Sequence, residues 1–347
     1  MLLVRCCQWN FASANPNPAK ILGGVEWDQV LLLARRHRVQ GLVWNALAQH
    51  ADRIPADVKE ALSADARSIA ATNLAIAGEC RALQAAFSNE GLPLLFLKGL
   101  TVGALAYRSP LLKMGWDIDL LINPNHLIGA SRLLVERGYE VRIPGRKDLL
   151  PFWHARRKES VWSRDGCLHV ELHTRLSDNP LLIPRINVRS SRQEVAVAEG
   201  LSLSTLAEDQ LFSYLAVHGA SSAWFRLKWI SDFAALIHGQ SSDELERLYR
   251  VSQELGAERA IGQALLLADA LFNSMNLAPA LRKQLQSERM TVWLMQAALR
   301  LMTNGIREPT TRPLGTLAIH WTQFFLKAGL AFKWSELARQ FTALLKR

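Results

Sequence analysis

The sequence has few cysteines, and none of them is spaced as a metal-binding pair. Four occur among 347 residues, at positions 6, 7, 80 and 167. Zinc sites and secreted disulfide frameworks need recurring, closely spaced cysteines, so this distribution excludes both and favours reduced thiols in the cytoplasm. H-E-x-x-H, G-x-S-x-G and Walker sequences are also missing, which excludes the enzyme classes that depend on them.

Long apolar runs are missing as well. A membrane-spanning helix needs about 18 or more apolar residues, and the best stretch here, residues 92–107, is interrupted by Lys98 and two glycines. Residues 1–4 are too short for a signal peptide, and Arg5 follows them instead of preceding them. We therefore expect no transmembrane segment and a cytoplasmic protein. The 49% apolar content is nevertheless enough for a sizeable core.

Acidic residues are scarce near the end of the chain. Residues 281–347 hold eleven lysines and arginines against three glutamates, so this segment carries +8 of the formal net charge of +10. Such a segment favours an anionic partner, although a solvated basic face explains it equally well. One helix face there collects apolar residues, which predicts core packing or partner contact, with a membrane surface as the alternative: Trp334, Leu337, Ala338, Phe341, Leu344 and Leu345.

Periodicity divides the chain into three regions. Residues 1–90 show helical spacing, with a restart at Pro55 and a long helix predicted over 56–87. Residues 91–175 alternate strands and helices. Residues 176–347 are predicted to be helical again, and Thr205 with Glu208 forms a capping-box signature. The predicted fold class is α+β, with a small mixed sheet embedded in a mainly helical chain.

The middle region contains the strands. Short apolar runs predict buried strands over 93–97 and 117–122, and a helix is expected over 100–107. Asn125 is expected to cap a helix that ends before Gly138, and residues 139–143 are predicted to be extended. The dipeptide Asp165-Gly166 predicts a two-residue turn between strands 159–164 and 167–174.

Two aspartates flank one apolar residue in the second of these strands. Side chains alternate along a strand, so Asp117 and Asp119 project together while Ile118 enters the core. Adjacent carboxylates repel each other, and a divalent cation such as Mg²⁺ is the usual compensation. The later strand places Glu171 and His173 on one face in the same way. Three carboxylates around two cations would support in-line phosphoryl or nucleotidyl transfer.

A short loop upstream has the composition of a phosphate-binding turn. Lys98 and Gly99 join the buried strand to the following helix, and Thr101 offers a hydroxyl near its start. A glycine lets the backbone approach a phosphate, and the amides at a helix start point towards it.

Taken in order, these motifs resemble the uncharacterised nucleotidyltransferase family of the polymerase-beta-like superfamily. The similarity rests on Leu97-Lys98-Gly99-Leu100, Tyr107, the run 115–122 and Val170-Glu171-Leu172-His173. It extends to an A-x-R-H-x-V element at residues 34–39, and to an H-G segment with W-x-x-L-x-W-x-x-D at residues 218–232.

The resemblance implies a nucleotidyltransferase core over 91–175, an NTP substrate, Mg²⁺ or Mn²⁺, and an acceptor of unknown identity. It makes Asp117 and Asp119 the paired metal ligands and Glu171 the third carboxylate. It places Gly99 in the phosphate loop with Lys98 and Thr101 nearby. Lys113 stands where an arginine is common, and Leu100 follows Gly99 where a serine is common.

The sequence allows two interpretations for several residues. His173 is expected to order a carboxylate or contact substrate, or else to be a structural histidine. Lys228 and Asp232 lie one helical turn apart, so they are accessory site residues or a simple ion pair. Arg35, Arg36, His37 and Arg38 either reach phosphates or belong to a solvated helix face. The whole chain is either an enzyme or a non-catalytic nucleotide- or nucleic-acid-binding protein on the same scaffold.

Overall fold

The computed structural model describes residues 2–8, 22–164, 168–273 and 275–344. Helices dominate the chain before residue 90. They are α1 (Leu2–Gln8), α2 (Trp27–His37), α3 (Gln40–Leu47) and α4 (Ala56–Asn89). The long helix α4 begins directly after Pro55, because proline lacks an amide hydrogen and is tolerated only at a helix start. The predicted helical character and restart are confirmed.

A mixed five-stranded sheet forms the centre of the molecule. Its strands are β1 (Leu94–Phe96), β2 (Asp117–Ile122), β3 (Glu140–Ile143), β4 (Glu159–Arg164) and β5 (Leu168–His173). The spatial order is β1-β2-β5-β4-β3. Only the β2–β5 pair is parallel, and the other three pairs are antiparallel. The α+β fold class predicted from the sequence is confirmed.

Three helices connect these strands. They are α5 (Leu100–Tyr107), α6 (Leu127–Glu136) and α7 (Leu150–His154). The sequence correctly predicted α5 and the glycine after α6, where Gly138 has a φ of 81°. The predicted N-cap Asn125 was wrong, because His126 directly precedes α6. Asn123 accepts from the amide of Asn125 and starts a single 3-10 turn before the helix. Helix α7 was not predicted. The predicted turn Asp165-Gly166 lies outside the described residues.

The region after residue 176 does not begin with helices as predicted. Two antiparallel strands, β6 (Arg192–Ala198) and β7 (Leu201–Leu206), form a second small sheet. Their buried residues Val195, Val197, Leu201 and Leu203 alternate along the strands and pack with the core of the central sheet. Thr205 therefore lies in β7 instead of capping the next helix, so the predicted capping box is wrong.

Helices resume after β7. They are α8 (Glu208–Ser221), α9 (Leu227–Leu236), α10 (Ser242–Glu254), α11 (Glu258–Phe272), α12 (Pro279–Ser287), α13 (Arg289–Thr303), α14 (Leu317–Gln323) and α15 (Leu330–Leu344). Within the described parts of the chain, no helix is both long and apolar enough to cross a membrane.

Two large hydrophobic clusters hold these elements together. One joins helices from both ends of the chain, with fully buried residues such as Leu47 of α3, Phe212 of α8 and Ile261 of α11. The other lies under the sheet and includes Phe87, Trp162 and Leu172. The first cluster combines regions separated by about 200 residues in the chain, and burial of this apolar surface is the main term that stabilises such packing. The proposed division at residues 90 and 175 stays a prediction.

Candidate active site

A cavity of about 340 Å³ opens between the β2–β5 pair of the central sheet and helices α8 and α9. Its walls carry charges of both signs. The acidic residues are Asp117, Asp119, Glu159, Glu171, Asp178 and Asp232, and the basic residues are Arg38, Lys98, Lys113, Lys158, Arg226 and Lys228. A cavity with carboxylates and cations facing the same space is suited to a ligand that carries a metal ion and phosphates together.

The β2–β5 pairing places Asp119 directly opposite Glu171, and Asp117 opposite His169. Strands β2 and β5 are parallel neighbours, so side chains at matched positions point to the same side of the sheet. The prediction that a second acidic strand lies beside the aspartates is confirmed. Asp117 is half-buried and lines the same cavity, two residues before Asp119 on β2.

Asp119 is the most enclosed carboxylate of the site. It is 3% exposed. Its Oδ1 lies 2.8 Å from Lys98 Nζ and 3.1 Å from His173 Nε2. Burial alone would raise the pKa of Asp119, but the Lys98 ammonium and the hydrogen bond from His173 outweigh it and hold that pKa well below its usual range. Its Oδ2 is buried and has no hydrogen-bond partner among the described residues.

Glu171 and His173 complete a compact group with Asp119. Donor atoms of these three side chains all lie within 4.8 Å of one another, so together they could hold a metal ion. His173 is fully buried, and its Nε2 is 3.6 Å from Glu171 Oε2. Burial, reinforced by the charge of Asp119, raises the pKa of Glu171 to about 7. Crowded carboxylates of this kind are the pattern that a divalent cation relieves.

Two neighbouring residues, Lys158 just before β4 and Glu159 at its start, belong to the same charged group. Glu159 lies opposite His173 in the antiparallel β4–β5 pair, and its Oε2 is 3.2 Å from His173 Nε2. Lys158 forms an ion pair with Glu159. Burial would raise the pKa of Glu159, but Lys158 and His173 lower it to about 2. Sequence reasoning missed both residues. The predicted two-residue turn would pair Glu159 with Leu172, whereas the observed register pairs Glu159 with His173 and so puts it on the face of Glu171.

The loop that joins β1 to α5 contains Gly99 in a conformation that other residues rarely adopt. Its φ is 69° and its ψ is −120°. The amide of Leu97 donates to the carbonyl of Asp119, which ties the loop to β2. Lys98 and Gly99 line the cavity, and their nucleotide-binding role stays a prediction. Thr101 does not line it, because this residue is fully buried and its hydroxyl donates to the carbonyl of Lys98 at 3.2 Å.

A second basic pair lies on the other side of the cavity. Lys113 Nζ is 3.2 Å from Asp232 Oδ2, and the Tyr107 hydroxyl donates to Asp232 Oδ1 at 3.0 Å. Lys228 donates instead to the carbonyl of Met114 at 2.9 Å, so the predicted Lys228–Asp232 pair is replaced by these contacts. Burial, together with the nearby charge of Lys113, lowers the pKa of Lys228 to about 7.

In the A-x-R-H-x-V element Arg36 and His37 are buried, whereas Arg35 is exposed and pairs with Asp65 at 2.8 Å. Arg36 donates to the carbonyls of Phe225 and Leu301 at 2.8 and 3.0 Å. His37 Nδ1 accepts the amide of Leu227 at 3.1 Å. These bonds hold the end of α2 against the start of α9. The next residue, Arg38, has a φ of 57° and lines the cavity.

The H-G element shapes the opposite wall. A Cβ atom on Gly219 would lie 2.3 Å from the ring of Trp224, so only glycine allows this tryptophan to pack against α8. Trp224 is fully buried. His218, which directly precedes Gly219, lines the cavity. Burial lowers the pKa of His218 well below its usual range, and the charge of Lys98 adds to this effect.

Comparison with known proteins agrees with these motifs. The model of a family described as uncharacterised nucleotidyltransferase matches residues 23–273. The match contains every cavity residue named above and ends just after α11, so it leaves residues 274–347 outside. No curated protein matches the chain significantly.

Proposed function

The chain belongs to this uncharacterised nucleotidyltransferase family, and from that premise we propose that it transfers a nucleoside monophosphate from an NTP to a hydroxyl-bearing acceptor in a metal-dependent reaction. One observation carries the proposal. Asp119 has a buried Oδ2 with no hydrogen-bond partner among the described residues, and it belongs to a group of side chains that could hold a metal ion, in a cavity that also has basic side chains. The acceptor is a small molecule, a protein or an RNA.

The donor set fits a divalent cation. Carboxylate oxygens of Asp119 and Glu171 are ligands that Mg²⁺ prefers, and the imidazole of His173 adds a donor that suits Mn²⁺ better. Asp117 lines the same cavity but does not belong to this compact group. When bound, such an ion would polarise the phosphate and lower the pKa of the attacking hydroxyl. Burial, together with the nearby charge of Asp119, raises the pKa of Glu171 to about 7, and this crowding of carboxylates supports the assignment.

The protein supplies the remaining requirements of the reaction with its own residues. Lys98, Lys228 and Arg38 bring positive charge to the cavity wall, where the negative triphosphate would lie. The backbone of Gly99 can approach a phosphate because no side chain stands in the way. His173 contacts Asp119, Glu159 and Glu171 and fixes the direction of their carboxylates, which makes it a positioning residue.

A specific contact favours the second candidate, a non-catalytic nucleotide- or nucleic-acid-binding protein. The ammonium of Lys98 already compensates Asp119 at 2.8 Å, as a metal ion would. Leu100 in place of serine and Lys113 in place of arginine point the same way, because both changes remove groups that bind phosphate well. This candidate predicts salt-sensitive binding of RNA or DNA without NTP turnover.

Pyrophosphate release tests the choice between the two. Each of the four NTPs would be incubated with Mg²⁺ or Mn²⁺, protein and cell extract as the source of acceptor, and the labelled product identified. If the protein is an enzyme, turnover should be present and should disappear in Asp119→Ala and in Asp119→Asn. The circular dichroism spectrum should be unchanged in at least the asparagine variant. Asp148→Asn, a surface carboxylate paired with Arg146, is the matched control and should keep full activity. Unchanged turnover in both Asp119 variants would refute the assignment.

A further inference from the structure

Large apolar side chains are exposed near the end of the chain, in the segment that the family match leaves out. We define the C-terminal apolar surface by six residues of α14 and α15. Among them Trp321, Trp334 and Phe341 are 57%, 68% and 59% exposed. The six are Leu317, Trp321, Leu330, Trp334, Leu337 and Phe341. Monomeric proteins rarely leave contiguous apolar patches of this kind uncovered, so the surface indicates a partner.

The orientation of α15 is fixed by its opposite face. Phe332 and Glu336 are each 2% exposed, and Glu336 accepts a hydrogen bond from Asn179. The exposed residues 330, 334, 337 and 341 recur at steps of four, three and four, so they form one stripe along the helix. Core packing, one of the interpretations given for this stripe, therefore does not hold for its exposed residues, and partner contact and a membrane surface stay open.

Helix α14 is joined to α15 beside this stripe. The side-chain amide of Gln340 donates to the carbonyl of His320 at 2.8 Å. Gln340 also lines a shallow open cavity together with Leu317 and Trp321 of α14. The exposed residues of the two helices therefore border the same part of the surface.

The charge around this surface is positive. Residues 306–344 hold five lysines and arginines and two glutamates. Both glutamates are compensated internally, because Glu336 is buried beside Arg339 and Glu308 accepts from Arg226 at 2.7 Å. Arg307 is exposed, and Lys333 lies next to Trp334 on α15. The net charge that remains for a partner to meet is positive, which requires a negative partner.

We propose that the C-terminal apolar surface docks peripherally onto an anionic lipid bilayer. An amphipathic helix with apolar residues on one face and lysine or arginine beside it binds in the plane of the membrane interface. Tryptophan rings suit the headgroup level, where one part of the ring is apolar and its N–H stays hydrated. A second copy of this chain is disfavoured as the occupant, because docking like surfaces would bring two positive fields together.

Vesicle co-sedimentation of the full chain tests the proposal. Vesicles of phosphatidylcholine alone and with phosphatidylglycerol would be compared at low and high salt. We expect binding to the anionic vesicles that weakens as salt screens the charges. The double variant Trp334→Ser/Phe341→Ser should bind about tenfold more weakly or worse, because it removes two of the inserted side chains.

The matched control is Leu74→Ser. Leu74 is 59% exposed on α4, so its substitution removes a comparable apolar group from a different surface. This variant should bind vesicles as the unmodified protein does. Equal vesicle binding by the double variant and the unmodified protein would overturn the proposal, as would no binding to anionic vesicles at all. A dimer in light scattering that the double variant abolishes, without vesicle binding, would assign the surface to a second copy instead.

Discussion

Asp119 and Glu171 face each other across the only parallel strand pair of the central sheet, separated by 52 positions in the chain. Both belong to the group of three side chains whose donor atoms lie within 4.8 Å of one another. Because β2 and β5 are joined through α6 and the β3–β4 pair, this meeting depends on the whole sheet. The proposed chemistry depends on this one strand pairing.

Glu171→Gln should abolish most activity without weakening the fold. The substitution removes one proposed metal-ligand oxygen and relieves the repulsion with Asp119, so the free energy of unfolding should not fall. Turnover should decrease at least about 100-fold, since even residues behind a ligand cost up to about 100-fold in metal affinity. Steady-state pyrophosphate release and urea denaturation measure the two effects.

The control for this prediction is Glu140→Gln. Glu140 is an exposed residue of β3 that does not line the cavity, and its loss should leave turnover unchanged. If Glu171→Gln retained normal turnover at every Mg²⁺ and Mn²⁺ concentration, Glu171 would not be a ligand.

Lys228 should make nucleotide affinity depend on pH. Burial and the charge of Lys113 lower its pKa to about 7, so the side chain is mainly charged below pH 7 and mainly neutral above it. A negative triphosphate binds the charged form better. We therefore expect the affinity for a non-hydrolysable NTP analogue to fall as pH rises from 6 to 8.

Lys228→Met isolates this effect. At pH 6 the variant should bind the analogue about tenfold more weakly, since a hydrogen bond to a charged group contributes about 1.5–3 kcal/mol. Part of the pH dependence of the analogue affinity should also be lost in this variant. Isothermal titration calorimetry gives both quantities, with Lys59→Met on the surface of α4 as control. Parallel pH profiles for Lys228→Met and the unmodified protein would contradict the prediction.

Gly99→Ala should destabilise the loop between β1 and α5. The φ of 69° with a ψ of −120° is strained for any residue with a Cβ atom, and such strain costs about 1–3 kcal/mol. Chemical denaturation should show this loss. Activity should fall as well, because the loop carries Lys98 to Asp119.

Gly78→Ala is the comparison for this prediction. Gly78 lies within α4, and a Cβ atom there would meet nothing within 4 Å. Alanine in a helix interior is favoured over glycine by about 0.5–1 kcal/mol, so this variant should be more stable than the unmodified protein. Equal effects of the two substitutions would show that the backbone of Gly99 is not strained.

His37 should contribute to acid denaturation. Burial and the charge of Arg36 lower its pKa from 6.5 to about 3, so the folded protein favours the neutral ring that accepts the amide of Leu227. A lowered pKa means that its stabilising contribution is complete above pH 6.5 and is lost as pH falls towards 3. His37→Gln should therefore show a smaller loss of unfolding free energy over this interval. Denaturation in urea at several pH values measures the difference.

Local pattern predicted much of the site because strand periodicity is a local property. The two-residue repeat put Asp117 with Asp119, and Glu171 with His173, on common faces before any contact was known. Val195 and Val197 of β6 show the same two-residue repeat. This strand was not predicted, because the sequence around it was interpreted as helical. Glu159 was missed because its role depends on pairing with β5, which is set by the position of the turn.

The functions of several charged residues could not be assigned from sequence. Arg36 and His37 have the composition of a solvated helix face, yet they are buried because distant elements supply partners for them. These partners are a carbonyl in the loop before α9, a carbonyl of α13 and the first amide of α9. The apolar stripe on α15 is the opposite case, because its residues are apolar and yet exposed. The spacing of apolar residues does not indicate whether another element covers them. Burial depends on packing across the fold, which no short window of residues records.

The sequence alone determined the acidic and glycine motifs, the helical and strand segments, and the excess of positive charge near the end of the chain. These follow from side-chain chemistry and from the 2.0 and 3.6 residue periods of strand and helix. Tertiary structure alone decided that β5 lies parallel to β2, that Lys98 meets Asp119, and that Lys113 takes Asp232 as its partner. Those contacts join residues that are 21 to 119 positions apart in the sequence. They form only when packing of the core brings these distant residues together.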